Sequence, residues 1–550
     1  MGDDAASPPV GPTDQARIEA ARGQADGVTG RKNGRAGLRG RGRMNLRPWT
    51  ASALAVVGVT LASCATQPAY QRPDLPIAPD WSNASLATAT PRSGPAQVIE
   101  AAWWSQLYDP AIDTLATAAL KNNPTLALAL AAVDAARASA RLSNAQRVPQ
   151  IGVNASAARA QIPNPLPVTA PFTIIENSQT LGPGLSWEVD LWGRLRQSAL
   201  AAQDRLDARN ADADETRLVL IAQIADGVLS LRACNYALLI RDRDLSSRAL
   251  ELDLMAKRRS VGNAAPVDEA SAVADLANAR TARISQQETC ARDVDALVAL
   301  SGLDPAAVRA LVAPATSPDL PDANGAAPSV TDATPVPPAP PLQLALPASV
   351  LLHHPAVVSA EREVAARWSE IAVARADRLP QIDLGAALAG NWLQAFGESI
   401  SFQTWSLDGA LSAPLIDGGA GKARVAGSQA LYRQAVANLQ ATVREAAQNV
   451  EDALAAEESA VQRLETSRQA VDAARRVLQA KEAQWRAGAI SLFELEDARR
   501  TFNSAQEDAV SAARDRAQAW VNLIRASGDS PDRPTPAAES SNTLAGNPPG

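Results

Sequence analysis

Asn123-Pro124-Thr125-Leu126, followed by Arg147-Val148-Pro149-Gln150-Ile151, reads as an Ala-rich helical stretch that opens at one proline and stops at another before an alternating segment. The same design returns at His354-Pro355-Ala356-Val357 and Arg378-Leu379-Pro380-Gln381-Ile382. Pro124 and Pro355 lie 231 residues apart, and Pro149 and Pro380 keep that offset. Later landmarks repeat too. Val261-Gly262-Asn263 matches Ala487-Gly488-Ala489, and Leu300-Ser301-Gly302 matches Ala526-Ser527-Gly528, both 226 apart. Self-similarity at a fixed offset marks a duplicated unit. The two copies are residues 64–303 and 342–530. Between them lies a Pro-rich linker, 304–341, expected to be extended and to hold no helix.

Each unit reads helix, strand, loop, strand, very long helix, turn, helix. Ile151, Val153 and Ala155 alternate with Gly152, Asn154 and Ser156, and Leu185, Trp187, Val189 and Leu191 with Ser186, Glu188 and Asp190. In the second copy Ile382, Leu384, Ala386 and Leu388 alternate with small or polar neighbours, as do Trp405, Leu407 and Leu411. Strands are expected near 150–160, 180–191, 381–392 and 402–415. Period two means one wetted face per strand. About ten residues is the length at which a tilted strand crosses a bilayer. A soluble two-sheet domain with one solvated face would alternate in the same way.

Arg194 to about Arg259 and Lys422 to about Arg486 contain no proline. Apolar residues step by three and four at Leu218, Ile221, Ala225 and Val228, and at Leu439, Val443, Ala446, Val450 and Leu454. That is coiled-coil spacing, with alanine at many seam positions. Gly262 and Gly488 break these helices, and Pro266 and Ser491 lie where partners would start. Each copy therefore ends in a long helical hairpin. Cys234 and Cys290 each lie 28 residues from Gly262, so folding there sets them level. An oxidising compartment would join them; two buried free thiols are the alternative.

Composition narrows the function. The 550 residues carry a formal charge of −7 and are 46% hydrophobic but only 4% aromatic, which suits thin helical layers better than a thick core. The acidic balance argues against nucleic acid as a partner. Two adjacent histidines, His353 and His354, and three cysteines leave no material for a His-based metal site or a disulfide-rich scaffold. No phosphate loop, dinucleotide fingerprint or nucleophile elbow occurs, and Gly418-Gly419-Ala420-Gly421-Lys422 lacks the required spacing and hydroxyl. The reading is a non-enzyme without a cofactor.

Residues 1–43, ending in the basic run Arg31–Arg43, are expected to be a disordered extension or a start assigned too early. Residues 44–63 read as a signal peptide: Arg47, then an apolar stretch Ala51–Leu61 too short to span a bilayer, then Leu61-Ala62-Ser63-Cys64. That ending resembles a bacterial lipobox, which implies cleavage before Cys64 and its acylation. No further helix is expected to qualify as a membrane span, so a crossing would need a β-barrel. Residues 531–550 are expected to be a disordered tail.

The motifs now on the page resemble those of the outer-membrane efflux proteins, the TolC-like channels, in their lipoprotein (NodT/OprM-like) branch. The likeness rests on the lipobox, on Trp103-Trp104 and Tyr108-Asp109-Pro110, on Leu185–Arg194 (LSWEVDLWGR) and on Pro414–Gly419 (PLIDGG), in order across residues 64–530. Leu351-Leu352-His353-His354 departs from the basic pair common in the family, a change expected to affect a surface at the repeat junction. The resemblance implies a mixed fold: long helical hairpins forming a periplasmic α-barrel, with four strands per chain given to a trimeric twelve-stranded outer-membrane β-barrel. Four strands alone are too few to close a barrel, and they do not choose between two chains and three.

It also implies an exit duct of a tripartite efflux system, lipid-anchored in the outer membrane of a Gram-negative cell and extending into the periplasm. Its partners would be two further copies, a periplasmic adaptor docking at the hairpin tips around Gly262 and Gly488, an inner-membrane RND-type or other efflux transporter, and outer-membrane lipid. Acids at Asp268, Glu494 and Asp497 would line the periplasmic aperture. Glu494 and Asp497 share one helix face, and threefold symmetry would gather the acids into rings that favour cations and couple closure to pH or divalent ions. Acids at a helix start also favour the dipole without any such ring. A lipid-anchored coiled-coil scaffold or adaptor without a pore is the rival function; it leaves four bilayer-length strands unexplained. Peptide mapping without reductant is expected to recover Cys234 and Cys290 cross-linked; two free thiols would contradict the pairing.

Overall fold

The computed structural model describes residues 68–75, 77–83, 102–163, 173–313, 336–340, 347–395 and 397–528. The signal peptide, Cys64, the 1–43 extension, most of the linker and the 531–550 tail lie outside the described residues.

In the first copy a 3-10 turn, Trp103–Leu107, precedes α1 (Pro110–Asn122), α2 (Pro124–Ala145), β1 (Gln150–Pro163), β2 (Thr173–Val189), α3 (Arg194–Ser260) and α4 (Pro266–Ser301). The short helix α5 (Pro305–Leu311) follows. The second copy supplies α6 (Pro347–His353), α7 (Pro355–Ala376), β3 (Gln381–Ala395), β4 (Glu398–Ser412), α8 (Ala420–Arg486) and α9 (Leu492–Ser527). Helix α5 corrects the expectation of a helix-free linker. Pro305 sits at its first turn, where a missing N–H costs nothing, and Val308, Val312 and Val336 pin this part of the chain into the core of the first copy.

The strands form one antiparallel sheet in the order β1-β2-β3-β4. They run 14, 17, 15 and 15 residues, longer than the ten or so expected. Gly182-Pro183-Gly184 lies inside β2. A Cβ on Gly182 would fall 1.8 Å from Leu388 O, so only glycine lets β3 pass here. Register sorts the side chains by face. Ile151, Leu185, Ala386 and Leu407 form one row across the four strands, and Asn154 and Ser156 turn the other way. Ile151, Val153, Leu388, Trp405, Leu407 and Leu411 are all more than half exposed, a continuous apolar face that no described residue covers.

The helices bury the core. Leu218, Ile221, Ile224, Val228 and Leu229 of α3 pack with Trp103, Leu107, Ile112 and Leu115 and with Trp520, Val521 and Ile524 of α9. One window of α3 is long and apolar enough to cross a membrane, contrary to expectation, but 61% of it is buried in this packing. Cys234 and Cys290 are joined as a disulfide between α3 and α4, with Cα atoms 5.6 Å apart.

Both copies use the same joint between hairpin and upper helix. α4 ends at Gly302 (φ +69°) and α9 at Gly528 (φ +73°). Asn123 caps α2 by accepting from Thr125 N at 2.9 Å, while its Nδ2 donates to Leu300 O at 3.0 Å. His354 takes the same place in the second copy, its Nδ1 accepting from Ala356 N at 3.2 Å. His354 is buried and packs on Gly528, so the departure at this position is a cap inside the joint rather than a surface change.

A second anchor is Asp109. It accepts from Ala111 N at 3.0 Å to cap α1, and takes a two-pronged bond from Arg232 of α3, with Nη2–Oδ1 at 2.7 Å. Replacing a buried partner strands the other charge. Asp109→Ala is expected to cost about 3 kcal/mol of stability, read as an earlier unfolding midpoint in detergent; Asp109→Asn, which keeps the cap, should lie between it and wild type.

Candidate functional site: the hairpin tips and the sheet base

The long helices stop where glycine permits a left-handed turn. Gly262 (φ +79°) and Gly488 (φ +72°) bring the chain round. Asn263 N donates to Arg258 O at 2.8 Å and Ala489 N to Gln484 O at 2.9 Å, closing the last turn of α3 and of α8 alike.

The expected aperture acids follow directly. Glu494 N donates to Ser491 Oγ at 3.2 Å while Ser491 N donates to Glu494 Oε2 at 3.1 Å, a reciprocal box that starts α9. Asp268 Oδ2 accepts from Ala265 N at 3.0 Å, and Ala265 has no hydroxyl to return the bond. Both acids are thus bound to their own helix starts. Asp497 is exposed and pairs with Arg500 at 3.1 Å.

Sequence reading missed the network behind them, which ties the two hairpins together. Asp275 of α4 lies 3.4 Å from Arg248 of α3 and 3.7 Å from Arg500 of α9. Ser247 donates to Glu496 Oε2 at 2.9 Å and accepts from Arg499 at 3.1 Å, and Arg499 holds Glu496 at 2.7 Å. Glu251 is buried beside this cluster with Oε2 unpaired; burial first, and Glu496 second, pushes its carboxyl up. The pairs Glu496/Arg499 and Asp497/Arg500 were visible in sequence as i,i+3 neighbours. Their partners on α3 and α4 were not, since nothing local brings position 247 to position 496.

The sheet base is built with equal care. Asp190 accepts from Leu195 N at 3.1 Å and Arg196 N at 2.8 Å, starting α3 after Gly193 (φ +77°). Glu188 binds Arg194, with Nε–Oε1 at 2.9 Å, and Trp192 Nε1 donates to Pro380 O at 2.6 Å. In the second copy Asp417 accepts from Gly419 N at 2.8 Å and Gly421 N at 2.6 Å, starting α8; these bonds hold its carboxyl below the usual range. This is what the two motifs at 185–194 and 414–419 do: they turn strand into helix. Gly421 belongs to that turn, and the phosphate-loop reading of 418–422 has no place in it. Among the described residues no cluster of His, Cys, Asp or Glu could hold a metal ion.

Known proteins resemble the chain over most of its length. The family model described as "Outer membrane efflux protein" matches residues 115–303 and 346–529. The chain is 28% identical over 478 residues to outer membrane protein OprJ of Pseudomonas aeruginosa, covering 86% of this chain and 94% of that one. It is 26% identical over 471 residues to Nodulation protein T of Rhizobium leguminosarum bv. viciae, covering 86% and 92%. The crystal structure of the CmeC outer membrane channel of Campylobacter jejuni superposes with a TM-score of 0.71 at 20% identity, over 85% of this chain and 95% of that one.

Asp226 of α3 is one of several helical acids whose carboxyls burial pushes up. Burial pushes its carboxyl up to about 7, only partly offset by Arg525, and Oδ1 has no hydrogen-bond partner. The folded chain therefore keeps a proton that the unfolded chain releases near pH 4, so stability falls as pH rises from about 4 through about 7. Asp226→Asn is expected to gain about 1–3 kcal/mol at pH 8 and little at pH 4, measured as the difference in unfolding midpoint at the two pH values.

Proposed function

From the premise that the chain belongs to the outer membrane efflux protein family, we propose that it is the exit duct of a tripartite efflux system: a passive outer-membrane channel in which no bond is made or broken. One observation carries the proposal. A four-stranded sheet with an uncovered apolar face stands directly on two 67-residue helices, with glycine turns and polar caps marking the border. An apolar face of this extent suits lipid, and the opposite face, with Asn154, Ser156, Thr180, Asn391 and Thr404, suits water. The strands exceed the length a tilted crossing needs, so their ends would stand clear of the hydrocarbon.

Among the described residues β1 and β4 each have one unpaired edge. Lipid supplies no hydrogen bonds, so the edges must meet those of other copies. A homotrimer would close twelve strands, and its helices would continue the bore into the periplasm. Acylated Cys64 would anchor the chain. The tips at Gly262 and Gly488 would meet a periplasmic adaptor, with an inner-membrane transporter, RND-type or other, supplying energy. Asp268, Glu494 and Asp497 would line the closed aperture, and opening would part the Asp275 bridge between hairpins. The poreless scaffold gains no support from the sheet, since nothing in that function needs an apolar face of this extent.

Planar-bilayer recording tests the proposal. Wild-type protein is expected to give discrete conductance steps with a preference for cations. Asp275→Ala should raise mean conductance several-fold. Asn at 268, 494 and 497 together should reduce the cation preference without closing the pore. A preparation that inserts but never conducts, even with Asp275→Ala, would contradict the duct.

A further inference from the structure

The outward face of the sheet carries more than an apolar band. Two successive rows near the loop end of the strands read Ala155–Leu181–Gly390–Gln403 and Ala157–Gln179–Trp392–Ser401; the row beyond them reads Arg159–Asn177–Gln394–Ser399. The Trp392 ring folds back over Gly390, whose absent Cβ would lie 3.2 Å from it. This leaves a groove of about 540 Å³ lined by Ala155, Ala157, Gln179, Leu181 and Trp392, all of the apolar face's parity, and also bordered by Ser156 and Thr180 of the neighbouring parity. The groove is on the apolar face, away from the bore.

Charge is distributed unevenly over the two faces. The five acids of the strands, Glu176, Glu188, Asp383, Glu398 and Asp408, all share the parity of the polar face. Arg159 is the single base in the four strands, and it shares the parity of the apolar face, one row beyond the groove. A guanidinium on a lipid-facing surface is tolerated only near the interface, where its stem lies on apolar surface and its head reaches headgroups. The helices leave the sheet at the opposite end, so this end points away from the periplasm and into the outer leaflet. Around Arg159, Asn177, Gln179, Gln394 and Ser399 offer neutral hydrogen-bonding groups of the kind that suits sugar hydroxyls.

We propose that this groove binds a phosphorylated glycolipid of the outer leaflet, one acyl chain lying on Ala155 and Ala157 against Trp392, with a headgroup phosphate on Arg159. The proposal rests on the barrel reading above. It adds a lipid site on each chain, outside the bore, that would seat the sheet at a defined depth. Trimmed residues on the groove floor make room for a chain, the indole supplies a wall at the interface, and the lone positive charge answers the lipid phosphate.

The test is lipid retention on the purified full-length assembly, read by native mass spectrometry after exchange into detergent with hexa-acylated lipid A, dephosphorylated lipid A or phosphatidylglycerol. Wild type is expected to keep lipid A and to lose both other lipids. Arg159→Gln should lower retention of lipid A by about fivefold, and Ala157→Phe, which fills the groove, should do so without touching the charge. Equal retention by wild type and both variants, or equal retention of phosphatidylglycerol, would overturn the assignment. Conductance is recorded on the same preparations. Both side chains face away from the bore, so the variants should conduct as wild type does, and a failed channel is thereby told apart from a failed lipid site.

Discussion

The fold depends on what becomes of the backbone groups along the outer edges of β1 and β4. Inside the sheet every strand is paired, β2 and β3 on both sides. Among the described residues nothing pairs the two outer edges, and they sit beside strongly exposed apolar side chains, among them Ile151, Val153, Trp405 and Leu407. In water such an edge would recruit other chains without control. In lipid it would be too costly to leave open. On the proposed reading the edge lies in lipid, and self-association would then follow from the hydrogen bonds as much as from the family resemblance.

The helices obey a different logic. With alanine at so many seam positions, each contact buries little area, so the hairpins gain their order from length, from caps and from ion pairs. Large side chains concentrate near the joints, around Trp103, Leu107, Ile221 and Trp520. Toward the tip of the first hairpin, burial thins to Ile240, Ala272, Leu276 and Ala279, and the pairs Arg248–Asp275 and Arg283–Asp242 take over. The disulfide at Cys234–Cys290 falls at the border between these two regimes. A hairpin so built is firm above and held below by ion pairs, which suits the closing tip proposed for it.

Much of this was legible in the sequence because the determinants are local or periodic. The 231-residue offset, the period-two strands, the prolines at helix starts and the glycines at the tips each report on a few neighbouring residues. The 28-residue spacing put the two cysteines level for the same reason. What escaped was non-local or against type. Strand lengths were underestimated at the loop ends, where β1 runs to Pro163 and β2 starts at Thr173, because Gln161, Asn177 and Gln179 put polar groups on the otherwise apolar face and the alternation is lost. His354 read as a surface departure and is instead the counterpart of Asn123, since a histidine Nδ1 can cap a helix as an amide oxygen does. The bridge through Asp275 could not be read at all, because it joins residues of different copies.

The central claim is that the edges of β1 and β4 are sealed by neighbouring copies. Backbone amide exchange on the protein extracted from outer membranes tests it strand by strand. The account predicts that amides of β1 and β4 exchange as slowly as those of β2 and β3. Fast exchange confined to β1 and β4, with β2 and β3 protected, would show open edges and contradict it.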